Sequence, residues 1–202
     1  MCGMVENLLG LHGIAPAVIV KIGDDSGRKP YTVCYHSGKV LYIGALIPSG
    51  DKDPNVTANA SVTFPKEGYV YDIRTGTALG RTKEAKKTIP AGDALLYAVM
   101  PYLVTEVKIN AASTRLNPGQ PVKYSIALTA RDGKPGMHVI GIEIIDPDGK
   151  KLENYAANLL TKDGQAEGKF ITALNDKPGR WTIRATDYVT RVAGECNVNL
   201  EP

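Results

Sequence analysis

Cysteine and histidine are scarce in this 202-residue chain, with three of each. Cys2, Cys34 and Cys196 stand far apart and form no CxxC pair, which argues against a zinc site and against a disulfide framework. A single Cys34–Cys196 bridge stays open, and with it the oxidation state of both thiols. His12, His36 and His138 form no HxH or HExxH pair, so the expectation is of exposed or loosely bonded imidazoles. There is no GxSxG nucleophile elbow and no GxGxxG or GxxxxGK[ST] phosphate loop. No apolar run approaches the roughly 18 residues of a membrane span, and the longest candidate, 94–103, contains Pro101. No Lys/Arg block exceeds Lys86-Lys87 or Lys150-Lys151, and 24 basic residues are interspersed with 21 acidic ones for a net charge of +3. A nucleic-acid partner, which needs a basic stripe, is not expected.

What is present is ordinary for a globular chain, with 43% hydrophobic and 22% charged residues, too apolar for a disordered polymer. One short helix is expected over residues 5–12, where Leu8, Leu9 and Leu11 supply an apolar face. Gly13 and Pro16 end it. After Pro16 the pattern is one of strands and turns. Val18, Val20 and Ile22 alternate, and so do Tyr31, Val33 and Tyr35. Ser37-Gly38 reverses the chain, and 39–46 returns as a partner strand. A polar loop over 48–54 precedes a strand over 55–64. Tyr69, Tyr71 and Ile73 share a face of the next strand, Thr75-Gly76 turns it into Ala78-Leu79, and 83–89 reads as a further strand. Pro90-Ala91-Gly92 leads into 94–100, an apolar run suited to a buried strand.

Pro101-Tyr102 marks the expected boundary. Beyond it, Asn117-Pro118-Gly119, Asp132-Gly133, Asp148-Gly149 and Asp163-Gly164 separate strands over 104–109, 122–130, 139–145, 166–173, 181–185 and 195–200. This spacing fits an antiparallel sandwich of immunoglobulin type, without the Cys…Trp…Cys signature of antibody domains. The expected fold is all-β, with two antiparallel β-sandwich-like domains over 1–102 and 103–202.

Few residues point to chemistry. The acidic clusters Asp24-Asp25, Asp51/Asp53 and Asp146/Asp148 all lie in turns, where Asp bonds its own backbone. Calcium is the one cation they suggest, with Asp24, Asp25, Asp146 and Asp148 as candidate ligands; none fits the 12-residue loop with its terminal Glu. Otherwise no cofactor is expected. Trp181, Tyr69 and Tyr71 are the candidates for a carbohydrate-stacking platform, set against core packing at alternating strand positions.

The segment from Tyr35-His36-Ser37-Gly38-Lys39-Val40-Leu41-Tyr42-Ile43-Gly44 through Val70-Tyr71-Asp72-Ile73-Arg74-Thr75-Gly76 to Ile89-Pro90-Ala91-Gly92-Asp93-Ala94 resembles the C-terminal all-β domain of β-galactosidase-like glycoside hydrolases, those with a trimerisation domain. The lead-in Gly13-Ile14-Ala15-Pro16 shares this likeness, which covers about half of the chain. The second half resembles a bacterial immunoglobulin-like or macroglobulin-like sandwich at Asn117-Pro118-Gly119-Gln120-Pro121-Val122, Asp146-Pro147-Asp148-Gly149 and Pro178-Gly179-Arg180-Trp181. In the enzyme family the catalytic carboxylates lie in a barrel of about 250 residues, so no catalytic residue carries over.

The resemblance implies a non-catalytic accessory region that packs on the catalytic module of a longer parent chain. Two alternatives stand beside it. One is a self-assembling filament or surface-layer subunit, in which copies complete one another's sheet edges with a donor strand from 5–22 or 196–200. The other is a carbohydrate-binding module. Met1-Cys2-Gly3-Met4 has no basic head or long apolar core, so no signal peptide is read there. An extracellular or periplasmic location follows from the resemblance alone.

Overall fold

The computed structural model describes residues 18–23, 29–48 and 57–202. The helix expected over 5–12 and the Asp24-Asp25 turn lie outside these residues, as does most of the 48–54 loop. Within the described residues the chain is all-β, and its one helical piece is a 3-10 turn at Glu153–Tyr155.

The first sheet contains β1 (Ile19–Ile22), β2 (Tyr31–Ser37), β3 (Val40–Leu46), β4 (Thr57–Asp72), β5 (Thr77–Pro90) and β6 (Ala94–Met100). Its order is β1-β4-β6-β3-β2, with β5 paired to β4. This departs from the sandwich expected for the first half: there is one curled sheet rather than two facing ones. The cause is β4, which runs for 16 residues where the sequence suggested two strands. Ala60–Thr63 pairs with β1 and Tyr69–Asp72 pairs with β6, while β5 follows both parts. The register slips between Thr63 and Gly68, across Pro65, and again at Val70–Tyr71. Pro65 has no N–H to donate to a ladder, and such irregularities sharpen the strand's bend and twist. The sheet thereby wraps its own core of Ile43, Val62, Phe64, Val70, Leu95 and Tyr97.

The strands of the second half form two sheets, antiparallel as expected except that β8 joins β14 in parallel. It contains β7 (Leu103–Ala111), β8 (Arg115–Leu116), β9 (Pro121–Arg131), β10 (Val139–Ile145), β11 (Ala157–Leu160), β12 (Gln165–Ile171), β13 (Gly179–Asp187) and β14 (Ala193–Leu200). A five-stranded sheet, β11-β10-β13-β14-β8, faces a three-stranded one, β12-β9-β7. Inward residues of both, among them Val107, Ile109, Tyr124, Ile126, Ile140, Ile142, Trp181 and Ile183, form the core. A Cβ on Gly194 would lie 1.8 Å from the Val107 carbonyl oxygen, so β14 can cross β7 this closely only through glycine. The suggested donor segment 196–200 belongs to β14, which pairs with β13 along its length and with β8 at Asn199 and Leu200.

Alternation along β6 joins the two halves. Leu95, Tyr97 and Val99 point into the curled sheet, while Ala98 and Met100 point into the sandwich core with Val40, Tyr71 and Tyr102. One apolar cluster therefore runs from the outer face of the first sheet into the second half.

Candidate functional site

Of the three residues expected to stack sugars, Trp181 and Tyr71 are buried. Trp181 is 1% exposed and donates Nε1–H to the Lys177 carbonyl at 3.0 Å. Tyr71 is buried in the shared core, and Tyr69 packs against that core and donates its hydroxyl to Asp132. Trp181 and Tyr71 are thus committed to packing, while Tyr69 stays half-buried beside that core. The expected calcium ligands are likewise occupied where they are described. Asp146 Oδ1 accepts the amides of Asp148 and Lys150, both at 2.9 Å, and Asp148 pairs with the Lys177 ammonium. No group of three His, Cys, Asp or Glu side chains suited to a metal occurs among the described residues.

One polar cluster the sequence did not reveal lies where the halves meet. His138, expected to be exposed or loosely bonded, is 2% exposed, and Asp187 is wholly buried. Gly136 N–H donates to the Tyr102 hydroxyl at 2.9 Å, and that hydroxyl lies 2.9 Å from His138 Nε2. His138 Nδ1 is 3.2 Å from Asp187 Oδ1. Thr190 donates its hydroxyl to Asp187 Oδ2 at 2.6 Å, and the Arg191 amide bonds the Asp187 carbonyl at 2.9 Å, closing the β13–β14 reversal. Burial pushes the Asp187 carboxyl upward, but the His138 bond and charge and the Thr190 bonds outweigh it, so its pKa falls below the ordinary value. Across the joint, burial and then the Asp187 charge push the Tyr71 hydroxyl up to about 12. A Tyr–His–Asp series of this kind has the components of a proton relay. The series is buried, and among the described residues no buried side-chain polar atom lacks a partner.

A cleft of about 520 Å³ opens on the outer face of the five-stranded sheet. Its floor is Gly141, and the Tyr188 ring lies where a Cβ there would be, 2.8 Å from that position. Tyr188 donates its hydroxyl to Asn158 at 2.9 Å and is 41% exposed. Glu143, paired with Lys151, and Arg191 line the walls.

The most unusual surface is the border strand β2. In its register Tyr31, Val33 and Tyr35 stand beside Leu46, Gly44 and Tyr42 of β3, and these beside Ala94, Leu96 and Ala98 of β6. At the β2–β3 turn this face is covered by the sandwich, because Val40, Tyr42, Ala98 and Met100 belong to the shared core. At the other end no described residue covers it: Tyr31 and Val33 are each 70% exposed and Tyr35 68%, with Leu46 and Leu96 also exposed. A Cβ on Gly44 would lie 3.0 Å from Val33 Cγ2 and 3.5 Å from Leu96 Cδ2, so these side chains meet over the glycine and the apolar patch is continuous. Thr32, Cys34 and His36, on the opposite face, are exposed as well. Cys34 and Cys196 are both free thiols, so the bridge between them is not formed.

No protein-family model and no curated protein sequence matches the chain. Among solved structures it is similar to a glycosyl hydrolase family 2 member from Bacteroides cellulosilyticus, at 9% identity and TM-score 0.38, over 78% of this chain and 25% of that one. It is similar to the Yersinia pseudotuberculosis adhesin InvE at 12% identity and TM-score 0.37, over 80% and 54%. It is also similar to Salmonella alpha-2-macroglobulin reacted with methylamine at 10% identity and TM-score 0.36, over 94% and 16%. The chain thus spans between 16% and 54% of the lengths of these three structures. Likeness of this size is one of β architecture alone. No helix among the described residues is long and apolar enough to cross a membrane.

Proposed function

We propose that the chain is a non-catalytic accessory β-region, divided near Tyr102, that works by docking on another protein outside the cytoplasm. The observation that carries this reading is the bare end of the β2–β3–β6 face. Large apolar patches are rare on surfaces that meet water alone and mark contact sites. This patch also continues a face that the same molecule already uses for packing, around Met100 and Tyr42. The likeness of residues 31–102 to the tail of carbohydrate-active enzymes supports an accessory role, with the catalytic module of a longer parent chain or another copy as partner.

The reading is tested with a Tyr31→Ser/Val33→Ser/Tyr35→Ser triple variant. The expected result is loss of apolar-dye binding with a melting temperature within a few degrees of wild type. Loss of cooperative unfolding would show that the face serves the chain's own fold, and would overturn the reading. Glycoside hydrolysis by the pure chain would contradict its non-catalytic part.

A second reading, sugar binding, rests on the Tyr188 cleft rather than on Trp181. An exposed aromatic ring beside an amide and charged groups is the chemistry that holds a pyranose. Binding on a glycan array that is lost in Tyr188→Ala would support it, and an array with no binding removes it.

A further inference from the structure

The partner of β2 can be narrowed from the way the molecule treats its other borders. A border strand leaves N–H and C=O groups unpaired, and proteins guard such strands with charge, a bulge or brevity. Each other border strand among the described residues has such a guard. β1 has four residues and Lys21; β11 has four residues and β8 two. β5 carries Arg81, Lys83, Glu84, Lys86 and Lys87. β12 carries Glu167 and Lys169, and β7 carries Glu106 and Lys108 with an irregular register at Val104–Glu106. β2 runs Tyr-Thr-Val-Cys-Tyr-His-Ser over seven residues with no Lys, Arg, Asp or Glu.

The backbone sets which groups are free. Gly38, at φ 58, and Lys39 make a two-residue reversal closed by Ser37 opposite Val40. A closing pair in such a hairpin exchanges both hydrogen bonds, so Ser37, Tyr35, Val33 and Tyr31 spend theirs on β3. Thr32, Cys34 and His36 then direct their N–H and C=O outward, symmetrically about Cys34.

Deepening the docking reading, on which this rests, we infer that the occupant is β2 of a second copy, paired antiparallel about a two-fold axis through Cys34. In that register Cys34 faces the partner's Cys34, Thr32 faces the partner's His36, and Val33 faces the partner's Tyr35. All seven residues overlap. Odd-numbered residues meet odd-numbered ones, so the apolar faces of both copies join on the same side. No like charges meet, whereas the other long borders, β5, β7 and β12, all carry Lys and Glu along their length. Two six-stranded sheets become one, with an isologous contact that closes on itself.

The test uses the full chain carrying Cys2→Ser and Cys196→Ser. Opposed Cα atoms of a hydrogen-bonded antiparallel pair lie about 5.5 Å apart, within disulfide reach. Oxidised glutathione is expected to convert the chain to a covalent species of twice its 21.6 kDa. With Cys34→Ser added, Thr32→Cys alone is expected to give little cross-linking, and Thr32→Cys with His36→Cys to restore it. By sedimentation equilibrium without oxidant, Val33→Glu and Tyr35→Lys singly weaken dimerisation at least tenfold, and the double variant regains it because the new charges face each other. A chain that stays monomeric to millimolar concentration, or cross-links equally well from Thr32→Cys alone, would overturn the pairing. The dye-binding test of the docking face is unaffected by that outcome, so the two readings fail separately.

Discussion

The two ends of one sheet face behave differently. Near the β2–β3 turn, Val40, Tyr42, Ala98 and Met100 are covered by the sandwich, and the buried Tyr102–His138–Asp187 series sits in the same joint. At the far end, Tyr31, Val33 and Tyr35 carry the same kind of apolar surface and nothing among the described residues covers them. The covered end shows what the face is suited for, which is packing against β structure. The bare end presents the same apolar chemistry to water. β5, a border of the same sheet, makes the contrast sharper, because its lysines are what an edge meant to stay alone carries.

The comparison breaks most visibly if the covered end is not held by its polar joint. Asp187→Ala leaves His138 and Thr190 buried without their acceptor and is expected to cost about 3–5 kcal/mol, read as a shift in the urea midpoint. A variant within 1 kcal/mol of wild type would show that the joint does not matter. Next in size, Met100→Ala at the covered end should cost about 2–5 kcal/mol, while Val33→Ala at the bare end costs under about 0.5 kcal/mol. Equal effects would mean the two ends are not different after all.

Acid sharpens the contrast further. The folded Asp187 carboxyl lies below its unfolded value of about 3.9, so its contribution is fully present above that pH and is lost as pH falls through the folded value. Asp72 acts in the same direction: burial opposes ionisation, but the Lys87 contact and two backbone amides prevail. Melting temperature should therefore drop below about pH 4, and drop less in Asp187→Asn. The smallest effect on stability belongs to β5. Lys83→Val with Lys86→Val should change stability by under about 0.5 kcal/mol and yet raise concentration-dependent association, measured by light scattering. Unchanged association would show that charge is not what keeps β5 alone.

Turns and strand positions were readable because their causes are local. The reversals at Gly38, Gly76, Gly92, Gly119, Gly149 and Gly164 all have positive φ, and glycine meets that demand at no steric cost. β6 and β10 occupy the ranges that their apolar runs suggested. β11 escaped notice because Ala-Asn-Leu-Leu has neither β-branched residues nor alternation, and pairing to β10 alone makes it a strand. The Tyr188 cleft and the His138–Asp187 pair were also hidden, since their members are separated by tens of residues and meet only through sheet register.

By itself the sequence determined that the described residues are β structure and where most of their strands reverse. Period-2 alternation and the φ demands of glycine are properties of a few neighbouring residues. Tertiary structure alone decided that β4 bends across Pro65 to curl the first sheet, that Trp181 and Tyr71 face inward, and that Tyr31, Val33 and Tyr35 face water. Alternation says which residues share a face. Which face becomes covered depends on what the rest of the chain brings against it.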